Sequence, residues 1–225
     1  MRRLRRPTGP RRAAMHWKTN VGRPETAPAH YNAMRELGNG LNEGGHYEDA
    51  LSVMEAELSI RRRLPVLDEN ILMTQSNLAN TYQLLGRKEQ ALRMRQDAYS
   101  GYAKHFGEEH AHTLLTAGNY AISLGELRRY AEAKSLLRKQ IPVARRVLGE
   151  NHEQTLRMRG CYAVVLYKSC ATLEDLREAV TTLEDTERSM RRVLGGAYPM
   201  TGMVEKALAD LRAALRARET PPSSL

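Results

Sequence analysis

Two residue pairings recur along the chain at one spacing, and that period constrains the fold more than any other feature. A large apolar residue followed by a small one occurs at Leu37-Gly38, Leu78-Ala79, Tyr120-Ala121, Tyr162-Ala163 and Leu208-Ala209, at intervals of 41, 42, 42 and 46 residues. A large apolar residue followed by Gly or Pro occurs at Leu64-Pro65, Phe106-Gly107, Leu148-Gly149 and Leu194-Gly195, at intervals of 42, 42 and 46. The two markers share one period and the same four-residue insertion. A chain built this way is an array of similar units, each too small to bury a core without its neighbours.

Each unit reads as a helix pair. In the second, Leu72, Gln75, Leu78, Ala79 and Tyr82 fall on one helical face, and Gly86 ends that helix. Ala91, Met94, Ala98 and Tyr102 then mark a second face. The third unit repeats the scheme with Leu114, Tyr120, Ala121 and Leu124, then Tyr130, Ala133, Leu137, Ile141 and Ala144. The small residue after each large one belongs where two helices cross closely, since a larger side chain there overpacks by ~1–3 kcal/mol. Composition agrees: Ala, Leu, Arg and Glu are plentiful and Phe occurs once, which favours helices over strands. The fold class expected is an all-α solenoid of about four antiparallel helix pairs with a terminal capping helix.

The segment SNLANTYQLLGRKEQAL, with Asn77, Leu78, Ala79, Tyr82, Gly86 and Ala91, resembles a tetratricopeptide repeat, and the 42-residue period is similar to that of kinesin light chains. Such repeats close with a Leu-Gly-x-x-His-Pro-x-Thr type of linker; here the corresponding stretches read FGEEHAHTL, LGENHEQTL and LGGAYPMTG. The resemblance implies a right-handed solenoid. It divides residues 26–218 into units of about 28–69, 70–111, 112–153 and 154–199, with a cap over 200–218. Three departures stand out. LPVLDENIL replaces the first linker, Arg128 occupies the place of Gly86, and four residues are inserted around YKSCATLED, where a longer inter-helix turn is expected. In the last helix, Val204, Leu208, Leu211 and Leu215 form the packing face and Glu205, Lys206, Asp210, Arg212 and Arg216 a solvated one.

The resemblance also implies a function, a non-catalytic scaffold or adaptor that binds a protein or peptide in a groove built from the first helix of each pair. Transferred position by position, the groove residues are Asn32, Arg35, Asn39 and Asn42, then Asn77, Asn80 and Leu84, then Asn119, Ile122 and Glu126, then Arg157, Val164 and Lys168. Asn offers donors and acceptors to an extended backbone, and Arg and Lys favour an acidic segment. One such peptide would bind with about −8 kcal/mol. The competing reading is an Asn-rich, solvated helix face.

Catalysis finds no home in the sequence. His152-Glu153 lacks the second histidine of a zinc-protease helix, and Gly38, Gly40, Gly44 and Gly45 spell no phosphate loop. His110 matches His152 in the linker period, so a local role for these and for His112 at the inter-repeat turns is expected. Cys161 and Cys170 are accompanied by no base or metal constellation. No catalytic residue, cofactor or metal is expected. Two cysteines fit a reducing compartment, a cytoplasmic setting is expected, and no apolar run spans a membrane.

The net charge of +9 is unevenly placed. Residues 1–25 hold eight Lys/Arg and one acid, while the remaining 200 hold 27 bases and 25 acids. The basicity is a tail, expected to be disordered together with residues 219–225. It could instead direct nuclear or organelle entry, or attach the chain to nucleic acid, the alternative function for the protein.

Overall fold

The computed structural model describes residues 28–63, 69–169, 172–197 and 199–219; the tail 1–25, most of LPVLDENIL and Cys170 lie outside them. Among the described residues every regular element is an α-helix: α1 Pro28–Glu43, α2 Tyr47–Arg61, α3 Glu69–Leu84, α4 Lys88–Phe106, α5 Ala111–Glu126, α6 Tyr130–Val147, α7 Glu153–Lys168, α8 Leu173–Leu194 and α9 Pro199–Glu219. This is the all-α helical-repeat architecture of a solenoid. The chain divides into two compact units, one ending at Gly101 and the other starting at Tyr102, within α4.

In the first unit α1 packs on α2, α2 on α3, and α1 also reaches α3. Leu51, Met54, Leu58, Ile71, Leu78, Tyr82 and Ala91 form its core. At Gly38, α1 lies close against α2: a Cβ there would lie 2.8 Å from Met54 Cγ. One ion pair is buried beside this core. Glu57 Oε1 accepts from Arg61 Nε (2.7 Å) and from Thr74 Oγ1 (3.1 Å), and the Arg61 guanidinium stacks 4.7 Å from the Tyr31 ring centre. Burial outweighs these partners and raises the Glu57 pKa.

The second unit follows the same scheme. Consecutive helices α5 to α9 pack in order, while α5 touches α7 and α7 touches α9. The first helices of successive pairs therefore stand side by side. Leu114, Ala121, Leu137, Leu156, Tyr162, Ala163, Leu166, Leu183 and Leu211 fill the core between them, each large apolar side chain worth ~1.5–3 kcal/mol when fully buried. Ala79, Ala121 and Ala163, the small members of the first marker, are fully buried. Ala209 is exposed.

Turns within the pairs share one design. Gly45, Gly86 and Arg128 donate to the carbonyls of Asn42, Gln83 and Gly125, and the next residues, His46, Arg87 and Arg129, donate to Leu41, Tyr82 and Leu124. This Schellman arrangement puts its pivot in the left-handed region. Glycine accepts that freely at Gly86 (φ +72°), whereas Arg128 holds it at +59° against its own Cβ.

The insertion in the fourth pair is taken up partly between its helices and partly in the second of them. The turn between α7 and α8 spans four residues, against three in the other pairs. The rest of the added length goes into α8, 22 residues against 18 in α6 and 19 in α4. The local cause is a capping box: Thr172 Oγ1 accepts from the Asp175 N–H and Asp175 Oδ2 accepts from the Thr172 N–H, which starts the helix early.

Between pairs the linkers are clipped by threonine. Thr113 Oγ1 donates to the Gly107 carbonyl (2.7 Å), and Thr201 Oγ1 to the Gly195 carbonyl (3.2 Å). Before α7, Thr155 Oγ1 reaches Ala144 (3.4 Å) and His152 Nδ1 caps the helix by accepting from the Gln154 N–H (3.2 Å). His110 instead stacks against both Tyr102 and Phe106.

Candidate functional site

The first unit uses its candidate groove residues largely on itself. Asn42 Nδ2 donates to Thr81 Oγ1 (2.8 Å), tying α1 to α3. Arg35 bonds Asn70 Oδ1 (2.9 Å) and Asn32 Oδ1 (3.1 Å) and rests on Met73 Sδ. Asn80 accepts from Arg95 of α4 (3.5 Å). Asn32 and Asn80 remain exposed, as does Leu84, while Asn39 and Asn77 are half-buried. Asparagine in this unit is thus partly inter-helix fastening.

The second unit contains a groove of about 570 Å³. Along α7 its lining residues Arg157, Cys161, Val164 and Lys168 recur every three to four positions, a single helical stripe. Ile122 and Glu126 of α5 form one bank, and Met203, Val204 and Ala207 of α9 the other. Small residues give it depth: a Cβ on Gly125 would lie 3.7 Å from Val165, and one on Gly160 3.7 Å from Val204. Val164 is 37% exposed and Met203 72%, so the floor and one bank offer apolar surface to solvent.

Charge sits at the rim. Lys168 Nζ lies 5.0 Å from the Tyr167 ring centre, and Arg157 Nε is buried without an acceptor among the described residues. Cys161 is a free thiol whose pKa burial pushes up to about 12, with Glu126 adding to the shift and Arg157 opposing it. At neutral pH it is a small apolar wall element rather than a nucleophile. Asn119, on α5, is half-buried and is not among the lining residues.

The structure therefore brings together Ile122, Glu126, Arg157, Val164 and Lys168 of the expected residues. It adds Met203, Val204 and Ala207, on the helix read as a solvated cap. A signal for them lay in the sequence: Leu208-Ala209 continues the marker of first helices, so α9 occupies a first-helix place and presents a groove-facing side.

No group of side chains among the described residues could hold a metal ion, and no described helix is long and apolar enough to cross a membrane.

Comparison with known proteins agrees with the helical-repeat fold. The tetratricopeptide repeat family model matches residues 71–112 and 113–154. No curated protein gives a significant match. Among solved structures, BtubC (BKLC) from P. vanneervenii is 19% identical, with 96% of this chain and 92% of that chain covered at a TM-score of 0.68. A kinesin light chain candidate from Podosopora anserina, with nearly identical TPR-like repeats, is 19% identical, with coverage of 87% and 99% and a TM-score of 0.64. The Rap conjugation gene regulator of the plasmid pLS20, in complex with the Phr* peptide, is 11% identical, with coverage of 92% and 64% and a TM-score of 0.52. At these identities the likeness is one of fold.

Proposed function

From a chain that carries tetratricopeptide repeats on a fold shared with kinesin light chain-like proteins, we propose a non-catalytic interaction scaffold. Its occupant is a peptide segment of a partner protein, held in the groove of α5, α7 and α9. The observation that carries this reading is a solvent-open apolar groove bordered by a cation with an unused donor: Val164, Met203 and Ile122 beside Arg157 Nε. Apolar side chains of a segment would enter between Val164 and Met203. A carboxylate or backbone carbonyl would satisfy Arg157, and Lys168 adds a second positive charge against the single Glu126. A segment mixing apolar and acidic residues fits best. The fold neighbour solved with a peptide supports the class of ligand without identifying it.

Peptide-array binding to the full chain tests this. Acidic segments with apolar residues should bind best, and Val164→Asp should weaken them more than tenfold while the far-ultraviolet circular dichroism stays unchanged. Arg157→Gln should reduce the preference for acidic sequences. Binding at full strength in both variants would remove the groove from the function.

A further inference from the structure

A second cleft of the Tyr102–Leu225 unit, about 560 Å³, is lined by Arg145, Glu150, Arg159, Asp185, Arg188, Ser189 and Arg192, and shares no residue with the groove. Arg159 lies two positions from Arg157 on α7, a turn of about 200° that sends the two guanidiniums to opposite sides of the helix. The cleft is unevenly charged. Four guanidiniums face two carboxylates, and both carboxylates are already engaged. Glu150 is shared between Arg145 and Arg159 (2.5 Å to the latter), and Asp185 takes Arg188 (2.5 Å). Among the described residues, Arg192 reaches the neutral Asn151 Oδ1 (3.1 Å) and no carboxylate.

Arg159 is 8% exposed, so part of this charge is held in place by the fold rather than carried on a free side chain. Arg145, Arg188 and Arg192 are exposed around it and present donors in several directions. An excess of two positive charges matches a dianion. Guanidinium forks bind phosphate oxygens bidentately, and a phosphate monoester carries close to two negative charges at neutral pH. A phosphodiester carries one, which disfavours a nucleic-acid backbone here. The lining offers one uncharged side chain, Ser189, and no apolar wall, so whatever carries the phosphate stays outside the cleft. That suits a group borne on a chain gripped elsewhere, not a small molecule held whole.

We propose that the Arg145–Arg159–Arg188–Arg192 cleft is a docking site for a phosphorylated serine or threonine of a partner segment, a contact that goes beyond the groove and is independent of it.

The test follows the arginine Nε–Hε resonances of the full 15N-labelled chain during four titrations. The probes are a phosphoserine flanked by two glycines on each side, its unphosphorylated twin, inorganic phosphate, and a single-stranded oligonucleotide lacking terminal phosphates. The phosphopeptide should shift Arg188 and Arg192 saturably, weaken with added salt, and bind about tenfold more weakly to Arg192→Gln or Arg188→Gln. Asp185→Asn, which removes a competing carboxylate, should tighten binding. An equal response to the unphosphorylated twin would overturn the proposal. So would inorganic phosphate or the oligonucleotide binding as tightly as the phosphopeptide, or both glutamine variants binding at full strength. Val164→Asp leaves this readout untouched, so failure here and failure of the groove reading are told apart.

Discussion

Arg128 occupies the pivot of a turn whose counterparts are Gly45 and Gly86, at a φ of +59°. Left-handed backbone costs an L-residue about 1–2 kcal/mol, and glycine returns part of that gain as unfolded-state entropy. Arg128→Gly should therefore stabilise the protein by about 0.5–1 kcal/mol, read as a higher urea midpoint at unchanged slope. Gly118 is the opposite case. A Cβ there would lie 2.2 Å from Gln154 Nε2, which donates to the Leu114 carbonyl from a buried position. Gly118→Ala should cost about 1–3 kcal/mol in the same measurement. Arg128 was legible in the sequence because the repeat register lined it up with Gly86. The reason for Gly118 was not, because it depends on a glutamine 36 residues away on the next pair.

Helix α7 shows how one element divides its duties. Leu156, Tyr162, Ala163 and Leu166 face the core, Arg157, Cys161, Val164 and Lys168 face the groove, and Arg159 turns to Glu150. The core face could be read from spacing alone, since burial imposes a period. The groove face could be placed by register but not judged by register. Asparagine positions carried over from the resemblance are partly spent on inter-helix bonds in the first unit, and one apolar bank in the second comes from α9. Hydrogen-bond partners across 35 or 39 residues, such as Arg35 with Asn70 and Asn42 with Thr81, leave no mark in a local pattern. At the joints, Thr113 is fully buried with its hydroxyl on the Gly107 carbonyl. Thr113→Val keeps the shape and deletes that bond, and should cost about 1–2 kcal/mol, with faster hydrogen exchange at the start of α5.

Across the molecule, acid should act on the two units with opposite sign. Arg145 and Arg159 hold the Glu150 pKa below its ordinary 4.5, and Lys134 and Thr172 hold Asp175 below 3.8. Their contribution to the Tyr102–Leu225 unit is complete above those values and is lost as pH falls through the lowered ones. Glu57 in the other unit is raised by burial, so its contribution is greatest below 4.5 and fades as pH rises through the higher value. Hydrogen exchange between pH 7 and pH 3 should show α6 to α8 losing protection relative to α2 and α3. Equal loss in both would contradict the assignment. The 42-residue period revealed the array at this scale, because every unit must repeat the same packing. It could not reveal where the surface turns apolar or basic, since solvent-facing positions are free of that requirement.

The threonine clip at the linkers makes the joint after Gly107 and the joint after Gly195 the same object. The two hairpins between these joints, excised together, leave ends that already match, and duplicated together meet a neighbour they already fit. Length in such an array is thus a variable that genetic recombination can change in whole steps.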